Sequence, residues 1–450
     1  MNISGLIAFL IADGSQRTFG LLDSSARHSH RTGSWRLLTG ETMRVLFKQL
    51  STVSTRTGVG HCAFELLKQL DCLPGASVTG FPFGRWLRWD ERIKRLHQFL
   101  SSMRNGWKTS RRLLPMAILG TLASTAYLAA RRAYERWLDS IYREAFFGSA
   151  FDLYHEPNFI PFTSSLPTVT TLHDLSVLRF PQWHPESRVA WFEENFPRAL
   201  QQSAHFIAVS QFTRREIIRH LHVAPSRVTY VPNAPRACFR PLPANAVAEM
   251  LRKHELPERY LLCVGTIEPR KNILRLMQAY CSLPESLRER WPLLLVGAWG
   301  WNFAAEKSYY ESEGRQHGIR HVGYVRDADL PLLYNGARAL IYPSLYEGFG
   351  LPPLEMLACG GAVLASNIEP IIEVVGTHGH LVAPEDIDGW RDALLRVVTE
   401  DDWWRHLRQG AEAVASSYSW QRSAAETLAV YRRVLDVGQP ATVVPRRLSA

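Results

Sequence analysis

From Met43 onward, short runs of apolar and β-branched residues alternate with stretches whose apolar positions recur every three or four residues. The short runs read as strands of a parallel sheet and the longer stretches as the helices that cover it. In the first half the strands fall at 44–47 (RVLF), 77–81 (SVTGF), 151–155 (FDLYH), 168–172 (TVTTL), 205–209 (HFIAV) and 228–231 (VTYV). The proline-rich run PNAPRACFRPLPANA then breaks the pattern and reads as a linker. Alternation restarts with strands at 260–265 (YLLCVG), 292–297 (PLLLVG), 319–325 (IRHVGYV), 337–343 (ARALIYP), 362–366 (AVLAS) and 380–383 (HLVA).

Two doubly wound α/β units in tandem follow from this pattern, at 43–240 and 258–412, with a linker at 241–257. A helical pattern over 413–437 closes the chain ahead of a tail at 438–450. Ligands bind outside the carboxyl ends of the strands in such sheets, so two facing units enclose a cleft. Residues 1–42 lack this order: ISGLIAFLIA is too short to span a bilayer and has no basic leader, and a polar, aperiodic stretch follows it. They are expected to be a disordered extension.

Composition changes this picture in one place. At 46% hydrophobic and 21% charged, the 450 residues describe an ordinary folded protein large enough for two cores. The six cysteines show no metal-like spacing, which favours a reducing compartment and no structural zinc. The net charge of +10, however, sits almost wholly between Arg85 and Arg143, where thirteen Lys and Arg meet four acids, a surplus of +9. Trp86, Trp89, Ile93, Leu96, Leu100, Met103 and Trp107 form an apolar stripe there at helical spacing. No helix-turn-helix, zinc-finger or RNP-like pattern accompanies the basic run, so nucleic acid is not the expected partner. The stripe reads equally as a helix packed on the first sheet or as one lying in an anionic membrane interface through 85–132. The following LLPMAILGTLASTAYLAA, 113–130, is interrupted by proline, glycine and hydroxyl residues and reads as a buried or interfacial helix.

Four motifs carry chemistry. In SLYEGFGLPPLEMLACGG, Glu347 and Glu355 stand eight positions apart around a turn of Gly348, Phe349 and Gly350, between a strand and a helix that stops at Gly360 and Gly361. Pro352 and Pro353 suit the first helical turn, and the free amides before them suit a phosphate. Carboxylates accept two hydrogen bonds at once and so hold sugar hydroxyls well; Glu355 is expected in the first turn of the helix. In VGTIEPRKN, Arg270 and Lys271 open the next helix, able to clamp a diphosphate. In VTTLHDLS, His173 and Asp174 end a strand facing the second unit. In TRTGVGHCAF, Gly58, Gly60 and Ala63 match GxGxxA, but the loop before Gly58 is longer than the tight turn a dinucleotide fold needs. These glycines read as a flexible loop approaching a phosphate or an acceptor.

Together EGFGLPPLE, GTIEPRKN, TLHDLS, the GVG after the first strand and VSQFTRREI resemble the retaining GT-B glycosyltransferases of family 4, over nearly the whole chain from Met43 to Val437. The resemblance implies two Rossmann-like domains, an N-terminal one for the acceptor and a C-terminal one for a nucleotide-diphosphate sugar, with the last helix returning to the first domain. No cofactor and no metal are implied. Carried onto this chain, it gives Glu347 the donor-sugar hydroxyls and Glu355 the ribose. Arg270, Lys271 and the amides of Phe349 to Leu351 would hold the diphosphate, His173 the sugar near its reacting face, and Gly58 and Gly60 would bring backbone to the phosphates. No carboxylate of the first unit is placed as a nucleophile, which fits front-face transfer with retention. Thr266 stands where some relatives carry another basic residue.

The expected activity is transfer of a hexose, mannose from GDP-mannose on resemblance alone, to a glycan or lipid-linked acceptor in surface polysaccharide synthesis. The expected location is cytoplasmic, peripheral at the inner face of the membrane. The alternatives are a non-catalytic nucleotide-sugar-binding protein of the same fold and, further off, an NAD-dependent dehydrogenase.

Overall fold

The computed structural model describes residues 42–52, 58–82, 133, 136–140, 142–143 and 151–436. The extension at 1–41, the basic stripe and apolar stretch within 85–132, and the tail at 438–450 lie outside the described residues.

The first sheet is built from β1 (Met43–Lys48), β2 (Ala76–Phe81), β3 (Leu153–Glu156), β4 (Thr168–Leu172), β5 (Ser203–Ala208) and β6 (Val228–Tyr230), in the order β2-β1-β3-β4-β5-β6. The second contains β7 (Leu261–Val264), β8 (Leu293–Val296), β9 (Ile319–Gly323), β10 (Leu340–Tyr342), β11 (Val363–Ser366) and β12 (His380–Val382), in the order β12-β11-β10-β7-β8-β9. All their pairings are parallel. Each of the twelve predicted runs is a strand; the largest end shift is at β10, expected from 337 and found from Leu340.

Seven helices position the site: α1 (Gly58–Leu70), α2 (Glu186–Gln202), α3 (Gln211–Leu221), α4 (Ala244–Lys253), α5 (Leu351–Ala358), α6 (Glu369–Val375) and α7 (Trp420–Asp436). Strands buried on both faces need apolar residues at every position, and β7 shows how they are used. Leu261 and Cys263 pack into a layer with Leu276 and Trp390, while Leu262 and Val264 pack on the opposite face with Tyr334, Leu354 and Met356. The stretch expected as a linker is partly helical. Val247, Met250 and Leu251 of α4 are buried in the core of the second domain, because their spacing gives that helix an apolar face.

The chain end does return. Trp420, Ala424, Leu428 and Tyr431 recur along one face of α7 and pack with Met43, Val45 and Leu66 in the core of the first domain. Ser423 Oγ donates to the Pro232 carbonyl at 2.6 Å, and the Tyr431 hydroxyl meets His155 Nδ1.

In both sheets the order in which the chain adds strands reverses at one adjacent pair, β1 and β3 in the first and β7 and β10 in the second. Loops leaving the carboxyl ends of such a pair diverge to opposite faces and open a crevice, so β7 and β10 mark where the second domain can hold a ligand.

Candidate active site

The loop after β7 turns at Pro269–Lys271, and Asn272 takes a left-handed conformation before the next helix begins at Ile273. Arg270 and Lys271 therefore precede that helix instead of opening it. The loop after β10 runs through Tyr346 and Glu347 into the glycine turn and α5. The two loops are joined by the Leu345 amide donating to the Arg270 carbonyl at 2.8 Å.

Glu347 is the centre of the cluster. Arg270 Nη1 donates to its Oε2 at 2.7 Å, and Lys271 Nζ and the Tyr342 hydroxyl donate to its Oε1 at 2.5 and 2.7 Å. Lys271 also donates to the Tyr342 hydroxyl at 2.8 Å, and Arg270 Nη2 to Glu268 Oε1 at 2.8 Å. Burial pushes the Glu347 carboxyl up, but Arg270 and Lys271 outweigh it and hold the group down at about 2. Burial likewise works against the charge of Arg270, and Glu347, Glu268 and Asp174 more than offset it. The result is a fixed, ionised array at the carboxyl edge of the second sheet.

The first domain meets this array directly. A Cβ on Gly348 would fall 1.7 Å from the His173 carbonyl oxygen and 2.9 Å from Asp174 Cβ, so only glycine allows the two domains to approach this closely. Thr213 Oγ1 donates to the Gly348 carbonyl at 3.0 Å, and the Leu175 amide to the Tyr346 hydroxyl at 3.1 Å. Glu373 of α6 caps α3 across the interface, accepting from the Gln211 and Phe212 amides at 2.8 and 2.6 Å. His173 is buried and its Nε2 lies 2.8 Å from the Pro157 carbonyl, which can only accept; Nε2 therefore carries the hydrogen and Nδ1 remains an acceptor. Desolvation lowers its pKa and keeps the ring neutral.

Glu355 differs from expectation. It lies in the second turn of α5, too far along the helix to complement the dipole. Tyr334 donates to its Oε2 at 3.0 Å. Burial pushes its carboxyl up to about 7, against the opposing charge of Arg236. Gly58 and Gly60, expected in a flexible loop, form the first turn of α1, and Gly58 faces Leu351, to whose Cδ1 a Cβ there would stand 3.8 Å away. The N-termini of α1 and α5 thus converge. Gly350 takes φ +121°, a conformation other residues rarely adopt. Phe349 turns its ring into the core against Tyr418, so its backbone alone is available to a ligand. Pro352 and Pro353 lack N–H groups, which leaves the Leu351 amide and those before it as the donors of this helix end.

Sequence reasoning missed Glu268, Tyr342, Tyr346 and Glu373. The first three lie in or beside the motifs read above, at strand ends. Glu373 carries no signal, because its role depends on the docking of the two domains. Among the described residues, no group of three or more His, Cys, Asp or Glu side chains could hold a metal ion.

Two facing parallel sheets with a C-terminal helix returning to the first define a GT-B fold. The model for "Glycosyl transferases group 1" matches residues 248–414 and that for "Glycosyltransferase Family 4" residues 110–234. The chain is 32% identical to the O-antigen chain mannosyltransferase B of Escherichia coli, over 87% of this chain and all of that protein. It is 31% identical to the serotype-specific mannosyltransferase WbdA of Escherichia coli, over 62% of this chain and 36% of that longer protein. Among solved structures it resembles Anabaena HepE in complex with UDP-glucose, with a TM-score of 0.61 at 17% identity over 86% of this chain and all of that one. It also resembles WaaG, a glycosyltransferase involved in lipopolysaccharide biosynthesis, with a TM-score of 0.59 at 17% identity over 86% and 98% of the two chains. The chain belongs to glycosyltransferase family 4 and is a glycosyltransferase. That membership removes the non-catalytic and dehydrogenase alternatives.

Proposed function

We propose that this enzyme transfers mannose, with retention, from GDP-mannose to a glycan or lipid-linked acceptor in the synthesis of a surface polysaccharide. The observation that carries the reading is the Glu347 carboxylate held ionised by Arg270 and Lys271 against the His173–Gly348 contact. Kinship over the full length of an O-antigen mannosyltransferase supports the sugar and the pathway class.

In this reading Arg270 and Lys271 take the diphosphate and stabilise the charge that grows on it as the bond from the sugar C1 to oxygen breaks. The Leu351 and Gly350 amides and the start of α1 receive the remaining phosphate oxygens. Glu347, relieved of part of its contact with the two cations, accepts from donor-sugar hydroxyls, His173 Nδ1 accepts from another, and Glu355 binds the ribose. The acceptor oxygen bonds to C1 on the face the diphosphate leaves, and its proton passes to the departing phosphate oxygen. No covalent sugar–enzyme bond is required.

The test is incubation of GDP-mannose with a mannose-terminated acceptor, reading the product's anomeric configuration by NMR. An α-linked product is expected. A β-linked product overturns retention, and transfer only from another nucleotide sugar overturns the donor.

A further inference from the structure

His173 owes its acceptor nitrogen to a backbone carbonyl, and that carbonyl sits on a loop pinned by two side chains that donor binding does not use. Phe47 and His155 pair in register on β1 and β3, so the next residues, Lys48 and Glu156, reach the carboxyl edge of the first sheet side by side. Lys48 Nζ stands 2.7 Å from Glu156 Oε2, and Glu156 is only 1% exposed. Both side chains also hold the backbone that follows β3. Glu156 Oε1 accepts from the Asn158 amide at 2.8 Å, and Lys48 Nζ donates to the Ile160 carbonyl at 2.7 Å. Between these anchors the Pro157 carbonyl meets His173 Nε2 at 2.8 Å, and Phe159 takes φ +66° with its ring centre 6.0 Å from that of the imidazole. The Phe159 amide donates to the Thr171 carbonyl at 3.2 Å, which ties the loop to β4, the strand that His173 directly follows.

A buried ion pair adds little stability over an apolar pair of similar volume, because both groups give up their hydration. This pair does what apolar side chains cannot. It holds one N–H and one C=O of a loop that carries an aromatic residue in the left-handed region, a conformation kept only where the surroundings over-determine it. Lys48 Nζ lies 4.3 Å from the centre of the Phe162 ring, and the Tyr154 hydroxyl donates to Glu156 Oε2 at 3.1 Å, so both groups are fixed in turn. The bond made at one imidazole nitrogen decides which nitrogen carries the hydrogen. A loop that shifted would release His173 Nε2, and with it the orientation and tautomer of the ring.

We propose that Lys48 and Glu156 are positioning residues for the transfer: they fix the 157–160 loop so that the Pro157 carbonyl keeps the hydrogen of His173 on Nε2 and Nδ1 stays an acceptor for the donor sugar. This rests on the role given to His173 above and adds the pair that sets it. Both residues act through the imidazole and need no contact with the sugar.

Two readouts on the full chain test this. One is steady-state transfer from GDP-mannose to a mannose-terminated acceptor; the other is ring-nitrogen NMR of histidine-labelled enzyme, with the His173 signals identified by their loss in His173→Ala. Wild-type His173 should be neutral with its hydrogen on Nε2. Glu156→Gln, Lys48→Met and the paired Lys48→Met/Glu156→Leu should each lower kcat by about tenfold or more, the scale on which small misplacements act, and turn the His173 ring into a mixture of tautomers. Added to His173→Ala they should cause no further loss, since they act through that ring. The paired variant leaves no buried charge without its partner, so it should fold even where a single variant does not. An unchanged His173 spectrum in the paired variant, losses that multiply on top of His173→Ala, or a wild-type hydrogen on Nδ1 overturns the proposal. Full activity of His173→Ala, or a wild type that transfers no mannose, fails the donor reading instead, and the NMR arm then decides by itself whether the pair sets the tautomer.

Discussion

Gly348 lies so close to the His173 carbonyl that the Cβ of any other residue would stand 1.7 Å from that oxygen. The obstacle is backbone, which cannot swing aside as a side chain could. Gly348→Ala should therefore leave each domain folded but hold them apart at the site. A displacement of about 1 Å at a reacting centre can cost roughly 100-fold in rate, and a loss of that order in kcat/KM is expected. Steady-state kinetics beside far-ultraviolet circular dichroism checks both halves of the statement.

The Glu347 array should show in acid stability. Its carboxyl stands at about 2 in the folded protein against an ordinary 4.5, the direction given by Arg270 and Lys271 overcoming burial. A depressed carboxyl contributes stability that is present above pH 4.5 and lost as pH falls from there toward 2. The contribution is roughly 3 kcal/mol. Glu347→Gln should flatten the dependence of unfolding free energy on pH within that window, measured by urea denaturation; an unchanged slope would separate Glu347 from the two cations.

Glu355 carries the opposite sign. Burial raises its carboxyl to about 7, so folding is penalised progressively as pH rises from 4.5 through 7 and the group must ionise in place. Glu355→Gln should raise Tm at pH 8 while weakening nucleotide binding, if the residue serves the ribose. Differential scanning calorimetry with and without GDP distinguishes this from a purely structural role, which would leave the GDP-induced shift untouched.

Much of the candidate site was legible in the sequence. The period of apolar positions located all twelve strands, and strand ends placed Arg270, Lys271, His173 and Glu347 on one cleft. What escaped depends on the third dimension. Glu347 and Glu355 share a motif and both are buried, yet Glu347 is held by Arg270 and Lys271 whereas Glu355 meets the Tyr334 hydroxyl, a difference that spacing does not carry. The helix α4 was missed because it begins directly after Pro243, at the end of the proline-rich run, and proline suits both linkers and the start of a helix.

Domain docking gives a further expectation. Glu373 caps α3 from the other domain through the Gln211 and Phe212 amides. Glu373→Ala should cost about 1 kcal/mol, the usual worth of a helix cap, and the loss should fall on closure. Small-angle scattering should then report a larger radius of gyration for the variant at equal helix content. An unchanged radius would mean that the remaining contacts hold the domains without it.

The donor pocket itself is tested most directly by thermal shift with GDP, UDP, ADP and dTDP on the wild type and on Lys271→Ala, since a ligand bound to the native state raises its Tm. GDP should give the largest rise for the wild type, and Lys271→Ala should abolish it. A wild type indifferent to all four, or a Lys271→Ala variant shifted as fully as the wild type, would contradict the assignment of this cluster to the diphosphate.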